Sequence, residues 1–341
     1  MKIRFSFHLV LLLLTGAASH VFAQGESTGL HTIYDRLTDD EGVELTLETD
    51  LTTFIGQKKT NNYMPGVIRT KDGQEYQIEV RPRGRYRRKV SQIPPMKIRF
   101  TEDDLRAEGL DTLNEIKVAL PCFDSDLGNE LIVREYLTYK LFETISDAHF
   151  KARLVKLSIH DTYDPKSTPK KMYAIFIEDE EEVAARLGLK PESEFGIPLK
   201  DMDTEQAAMV IMFQYLIGNT DWEFAMHRNV ELFHNSKDGK IIALPYDFDF
   251  SGLVSAPYAV PSSDSGLKST RDRFLMSGEM DESALKAAIN LMKEKEEALY
   301  EVCRSEYLSK SASNDMRRFL GSFFKKMKNK DIAPVTMKLD P

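Results

Sequence analysis

The sequence predicts an α+β chain of two lobes, the first rich in β-strand and the second mainly helical. Three observations carry this prediction. Between residues 43 and 177 the chain falls into short runs of alternating apolar and polar residues, separated by turn signals. A helical segment over residues 203–217 is apolar nearly all round, as only a buried helix can be. Residues 281–304 and about 312–328 read as amphipathic helices that cover such a core.

The elements follow in chain order. Lys2 and Arg4 precede an apolar run from Phe7 to Leu14, and Val21, Phe22 and Ala23 stand before Gln24. This is the pattern of a secretory signal cleaved near Ala23–Gln24, and its apolar run is too short to span a membrane. It predicts an exported protein, periplasmic or extracellular, with residues 1–23 as the signal peptide. No later stretch reaches the ~20 apolar residues of a membrane helix. The expected lobes are 24–178 and 179–341.

Val43–Glu48 alternates, Thr70–Gly73 is a hairpin turn, and Gln77–Arg81 alternates again. Met96–Phe100 places Met96, Ile98 and Phe100 on one face and Lys97 and Arg99 on the other; Ile116–Leu120 is a further strand. A helix runs from about Asn129 to Ser146, with Leu131, Ile132, Tyr136, Leu137, Leu141 and Phe142 at helical spacing. Arg153–Ile159 and Met172–Ile177 are two more strands. After a helical segment at Asp179–Leu187, Asp203 is an N-cap with Gln206 three residues on, and the buried helix it opens stops at Gly218.

Composition narrows the function. The chain has 341 residues and a net charge of −8; residues 1–23 hold two of its 46 basic residues and none of its 54 acidic ones, so removing them leaves −10 on 318 residues. An acidic chain is not a general nucleic-acid binder, and no nucleic-acid partner is expected. The two cysteines, Cys122 and Cys303, could form one bridge in an oxidising compartment but make no disulfide scaffold. Against this acidic background, Arg81, Arg83, Arg85, Arg87, Arg88 and Lys89 place six cations in nine residues. Gly84 lets the backbone turn close to a ligand, and the arginines beside it suit bidentate phosphate contacts. Arg83, Gly84 and Arg85 would cover nucleotide phosphates or grip an acidic substrate.

The densest chemistry lies between residues 218 and 249. Gly218–Asp221 leads to His227–Asn229, then to two short strands, Asn229–His234 and Ile241–Tyr246, around the turn Asn235–Lys240. A turn centred near Asp238 sets Asn229 opposite Asp247 at the open end of the hairpin. An amide oxygen and a carboxylate are hard ligands, suited to Mg²⁺ (or Mn²⁺) that keeps water and phosphate oxygens in its other positions. Asp249, two residues on, is a possible further ligand. Asp221, in the loop after a buried helix, suits a group that orients and deprotonates a hydroxyl. The candidate catalytic residues are therefore Asp221, Asn229 and Asp247, and the candidate metal ligands Asn229, Asp247 and Asp249.

The order of these elements is that of a bilobal protein-kinase-like fold. In Arg81–Tyr86, Pro94–Phe100, Arg134–Tyr136, Tyr173–Glu178, the Asp221 to Asn229 loop and Pro245–Asp249, the chain resembles the spore-coat CotH kinase-like proteins and, more distantly, HipA-type kinases. The resemblance covers about residues 75 to 255. It implies ATP as cofactor with Mg²⁺, transfer to a protein or other hydroxyl acceptor (glycan or small molecule), and Asp221 as the base. The spacing from Asp221 to Asn229 is longer than in ordinary protein kinases, which leaves Asn219 and His227 as substitutes. It also implies a lysine–glutamate pair on the phosphates, with Glu135 as the acid and either Lys97 or Lys117 as the base, and a nucleotide-reading hinge at Glu178. A catalytically inactive binding or structural protein on the same scaffold is the alternative.

Overall fold

The computed structural model describes residues 30–328, and those from His31 onward form one compact unit. The expected signal peptide, with its cleavage near Ala23–Gln24, lies outside the described residues. None of the described helices is long and apolar enough to cross a membrane.

Seven strands make up the first half: β1 (Val43–Thr49), β2 (Met64–Thr70), β3 (Glu75–Pro82), β4 (Met96–Phe100), β5 (Glu115–Ala119), β6 (Ala152–Asp161) and β7 (Lys170–Glu178). The β2–β3 hairpin turns where the sequence predicts, with Gly73 in the left-handed region at φ 91°. Tyr76, Ile78 and Val80 of β3 point inward, while Glu75, Gln77 and Glu79 face out.

Here the structure corrects the expected architecture. The strands do not form the open sheet of a kinase-like N-terminal lobe, and the bilobal kinase-like fold is not what this sequence builds. They close into a barrel in the order β1-β2-β3-β4-β5-β7-β6. The closing pair is parallel, with Val43 opposite Val155 and Thr49 opposite Asp161. Closure satisfies the backbone edge that an open sheet would leave for other chains to pair with. Alternation along a strand reports which face is buried and says nothing about a partner more than a hundred residues away, so this pairing is invisible to a periodicity argument.

Short helices decorate the barrel: α1 (Ile33–Leu37), α2 (Leu51–Gly56), α3 (Arg87–Val90) and α4 (Glu102–Ala107). The long α5 (Asp126–Ile145) starts at Ser125, whose hydroxyl accepts the Gly128 amide at 3.2 Å. After β7 come α6 (Glu180–Leu187), the two-residue β8 (Lys190–Pro191) and α7 (Thr204–Ile217). Asp203 caps α7 by accepting the Gln206 amide at 2.8 Å, as its spacing predicts. The hairpin β9 (Val230–His234) and β10 (Ile241–Pro245) follows, then α8 (Glu282–Glu294), α9 (Glu296–Val302) and α10 (Lys310–Lys328).

Two apolar cores share one wall. Phe176 and Val118 point into the barrel, whereas Ile175, Ile177 and Ala119 face a second core built on α5, α7, the β9–β10 hairpin and the C-terminal helices. Every residue of α7 from Ala207 to Ile217 is buried, as the all-round apolar pattern demands. Cys122 and Cys303 are both free and buried, and burial pushes the Cys303 thiol up to about 12.

The N-terminal helix docks through a buried carboxyl group. Thr32 donates to Glu182 Oε1 at 2.6 Å, while Glu182 Oε2 is buried without a partner. Burial pushes the Glu182 carboxyl up to about 8, the Thr32 hydrogen bond pulls it back, and Glu178 and Asp35 push it up further. The folded chain therefore holds a proton here that the unfolded chain releases near 4.5. Stability attributable to this group is full below the unfolded value and declines as pH rises towards about 8. Glu182→Gln should remove this dependence. Its melting temperature should gain on wild type between about pH 5 and pH 8, and parallel curves for the two proteins would refute the assignment.

Candidate functional site

The chain leaves α7 through Gly218, left-handed at φ 66°, where a Cβ would meet Phe319 at 2.9 Å. Asn219 is buried: its amide nitrogen donates to Gln214 at 3.0 Å, and its oxygen accepts the Asp221 amide at 2.9 Å. It therefore shapes the turn that presents Asp221. Asn229 then donates to Asp221 Oδ2 at 3.0 Å and to the Asp221 carbonyl oxygen at 2.6 Å. The Arg228 guanidinium stands 3.8 Å from Asp221 Oδ1. Burial raises the Asp221 carboxyl above its usual range, against the pull of Arg228 and Asn229.

The hairpin forms as expected but one residue out of the expected register. Ile241 pairs with His234 and Pro245 with Val230, so Asn229 lies opposite Tyr246, whose amide donates to the Asn229 carbonyl at 3.1 Å. The turn centres between Lys237 and Asp238, because Asn235 closes directly on Lys240 at 2.9 Å. Asn229 and Asp247 both still lie at the open end and line one cleft. Both leave the ladder in the left-handed region, at φ 53° and 58°, and His227 does the same at 48°. Residues other than glycine rarely adopt this conformation, and three of the four among the described residues line one cleft.

That cleft, about 760 Å³, lies between the barrel and the helical core. Asp221, Asn229, Asp247 and Asp249 line it, as do Arg83, Gly84, Arg85, Lys117 and Glu135. Gly84 is left-handed at φ 85°, which lets the arginine-bearing segment turn over the opening. Lys97 and Glu178 do not line the cleft. Lys97 is paired with Asp179 at 2.8 Å and with Glu115. Glu178 is fully buried on Arg186 and the Lys151 amide, and its own amide donates to the Lys151 carbonyl, so its side chain and its amide are both already committed.

The expected lysine–glutamate pair does not form. Lys117 is paired with Glu180 and stands 5.0 Å from the centre of the Phe150 ring; burial lowers its pKa, against the pull of Glu180. Glu135 is paired instead with Arg87. The Arg87 guanidinium, nearly fully buried, also donates through Nε to Asp249 at 2.8 Å and stands 3.5 Å from Asp247 Oδ1. One cation on α3 thus gathers three carboxylates from α5 and the turn after β10. In the sequence Arg87 is one of six neighbouring cations, and nothing in its local pattern marks it as the buried one. Tyr258 adds a hydrogen bond to Asp249 at 3.0 Å, and Glu135 Oε1 is buried without a partner.

Phe248 pins this turn by packing its ring between Tyr139 and Phe213, at centroid distances of 4.7 and 5.6 Å. Asp247 sits on the cleft floor, walled in but open to the cleft, with 43% of its side chain accessible. Burial and the Asp249 carboxylate raise it to about 6, with Arg87 and Arg83 pulling the other way. His227 is bound to the Glu194 carbonyl at 2.8 Å and packs against Phe195, which makes it a brace for the cleft mouth.

Among the described residues, no three His, Cys, Asp or Glu side chains are grouped so as to hold a metal ion by themselves. Asp249 has one oxygen committed to Arg87 and Tyr258. Asp247 and the Asn229 amide oxygen, which line the same cleft, would be the residues to hold a magnesium ion, with phosphate and water completing its coordination; they do not make a protein-only cage. No protein-family model matches the chain, and no curated protein matches it.

Arg87 is the group whose loss should be felt most. Arg87→Met would leave Glu135 and Asp249 buried without their cation and should lower unfolding free energy by about 3–5 kcal/mol. Adding Glu135→Gln should recover part of that loss. A denaturation midpoint unchanged by Arg87→Met would show that the cluster does not hold the fold.

Proposed function

We propose that the cleft binds a nucleotide together with a divalent cation and transfers a phosphoryl group to a hydroxyl acceptor, the protein being an exported phosphotransferase. One observation carries the reading: Asp221, Asn229 and Asp247 converge on a single cleft whose wall bears Arg83 and Arg85, neither of which has a carboxylate partner among the described residues. Phosphoryl transfer requires positioning and charge neutralisation more than covalent chemistry, and a cleft with carboxylates on its floor and unpaired guanidinium groups on its wall supplies both. The resemblance to CotH-like proteins points to the same chemistry. The barrel lends it no support, so the argument rests on the cleft side chains.

Asp221 is the group that takes the acceptor's hydroxyl proton as its oxygen attacks the terminal phosphorus and the nucleoside diphosphate departs. Its raised carboxyl pKa makes it a better proton acceptor than an ordinary aspartate. Asn229 holds it in place from below. Arg83 and Arg85 receive the phosphate oxygens, and Ala119, Phe150 and Ile177 offer an apolar wall for a base. A bound magnesium ion, held by Asp247 and Asn229, would neutralise charge on the phosphates.

The Arg87 guanidinium, 3.5 Å from Asp247, favours a second reading. It partly neutralises the proposed metal ligand, as a binding protein without turnover could afford. Adding millimolar ATP with Mg²⁺ should raise the melting temperature, by about 2–4 °C for each kcal/mol of binding energy, and Asp247→Ala should abolish the shift. No shift in the wild-type protein would reject nucleotide binding. A shift without phosphate transfer to any serine peptide or glycan would select the inactive reading.

A further inference from the structure

We infer that Tyr139 is a positioning residue: its hydroxyl oxygen holds the left-handed backbone at Asp247 and so aims that carboxylate into the cleft. For its functional consequence the inference rests on the phosphotransfer reading; for its geometry it does not. The Asp247 amide donates to Tyr139 Oη at 2.9 Å. It is the next amide after Tyr246, whose bond to the Asn229 carbonyl is the last contact across the open end of the hairpin. At φ 58° Asp247 turns the chain out of the strand. In a continued strand the side chains would go on alternating from face to face. A strained residue persists only where its surroundings over-determine it, and at Asp247 three contacts do so. Phe248 locks the next residue into the core, Arg87 attracts the carboxylate, and Tyr139 captures the amide.

Tyr139 is suited to this because it is rigid on every side. It sits in α5 one turn after Glu135, is only 3% exposed, and packs its ring edge-on against Phe248 at 4.7 Å. One helix face thus governs both carboxylates of the turn, Asp249 through Glu135 and Arg87, and Asp247 through Tyr139 directly. The ring alone would serve the core. Only the oxygen serves Asp247.

Tyr139→Phe separates the two roles, because it keeps the ring packing and deletes the acceptor. Three measurements on the full-length protein decide the matter: hydrogen exchange at the Asp247 amide, the affinity for Mn²⁺ with ATP followed by electron paramagnetic resonance, and the melting temperature. We expect the Asp247 amide to exchange at least about tenfold faster, and Mn²⁺ affinity in the presence of ATP to fall by about three- to tenfold, the range for one lost hydrogen bond. Melting should move by no more than a few degrees. Unchanged protection of the Asp247 amide overturns the inference, whatever happens to affinity. Faster exchange with unchanged Mn²⁺ affinity also overturns it, since the carboxylate would then be aimed without the tyrosine. If the wild-type protein binds no Mn²⁺ with ATP while the variant's amide exchanges faster, the phosphotransfer reading falls and the backbone role of Tyr139 stands.

Discussion

The guanidinium of Arg87 is the constraint on which the site depends. Taking a charge out of water is expensive, and a buried ion is tolerated only with close, hydrogen-bonded partners. Arg87 meets Glu135, Asp249 and Asp247, three acids for one fixed cation. Burial pushes Glu135 up to about 8 and Asp247 to about 6; the neighbouring carboxylates add to the push and Arg87 pulls both back. Because Arg87 belongs to the short helix after β3 and its partners belong to α5 and the turn after β10, the same contacts fasten the barrel to the helical core. The arginine-bearing segment over the cleft is held in place as a consequence.

The rest of the geometry is made by strained turns on rigid supports. Asn229 and Asp247 both leave a regular hairpin in the left-handed region. Each is held by groups on other elements: Asn229 by the Asp221 loop after α7, Asp247 by Tyr139 on α5. Regular strands would alternate these side chains between faces; broken strands let both face one opening. Such conformations cost about 1–3 kcal/mol each and survive only where packing enforces them. Here the enforcing groups are large rings, Phe248, Phe213 and Tyr139, and the buried, largely apolar α7 behind them.

What was legible in the sequence was local. Helix α7 declared itself by apolar residues on every side and by its two ends, Asp203 and Gly218. The β9–β10 hairpin was visible from alternation and turn residues, and with it the placing of Asn229 and Asp247 at its open end. The register was missed by one residue because a six-residue turn with several polar members does not fix its own centre. Barrel closure was missed because the β1–β6 pair is parallel and distant. The partner of Glu135 was missed for a related reason. A lysine on a strand before the helix is a natural candidate by chain order, but partners are chosen by three-dimensional distance, and the short helix after β3 brings Arg87 closer than Lys117 or Lys97. Lys117, for its part, is taken by Glu180, at the start of a helix the sequence did show.

Charge balance across the cleft bears on what it can accept. Its floor holds Asp247 and Asp249 against the one buried Arg87 guanidinium, with Asp221 beside Arg228, so acidic oxygens face the opening even where Glu135, pushed up to about 8, keeps its proton. Its wall carries Arg83 and Arg85 without acidic partners among the described residues. A simple anion would suit the wall and be repelled by the floor, and a free cation the reverse. On the proposed reading a metal-bound polyphosphate would match both at once, its cation meeting the floor and its oxygens the wall. On that reading one carboxylate and one amide, with no cage of acids behind them, would leave most of the cation's coordination to the phosphates and water that arrive with it.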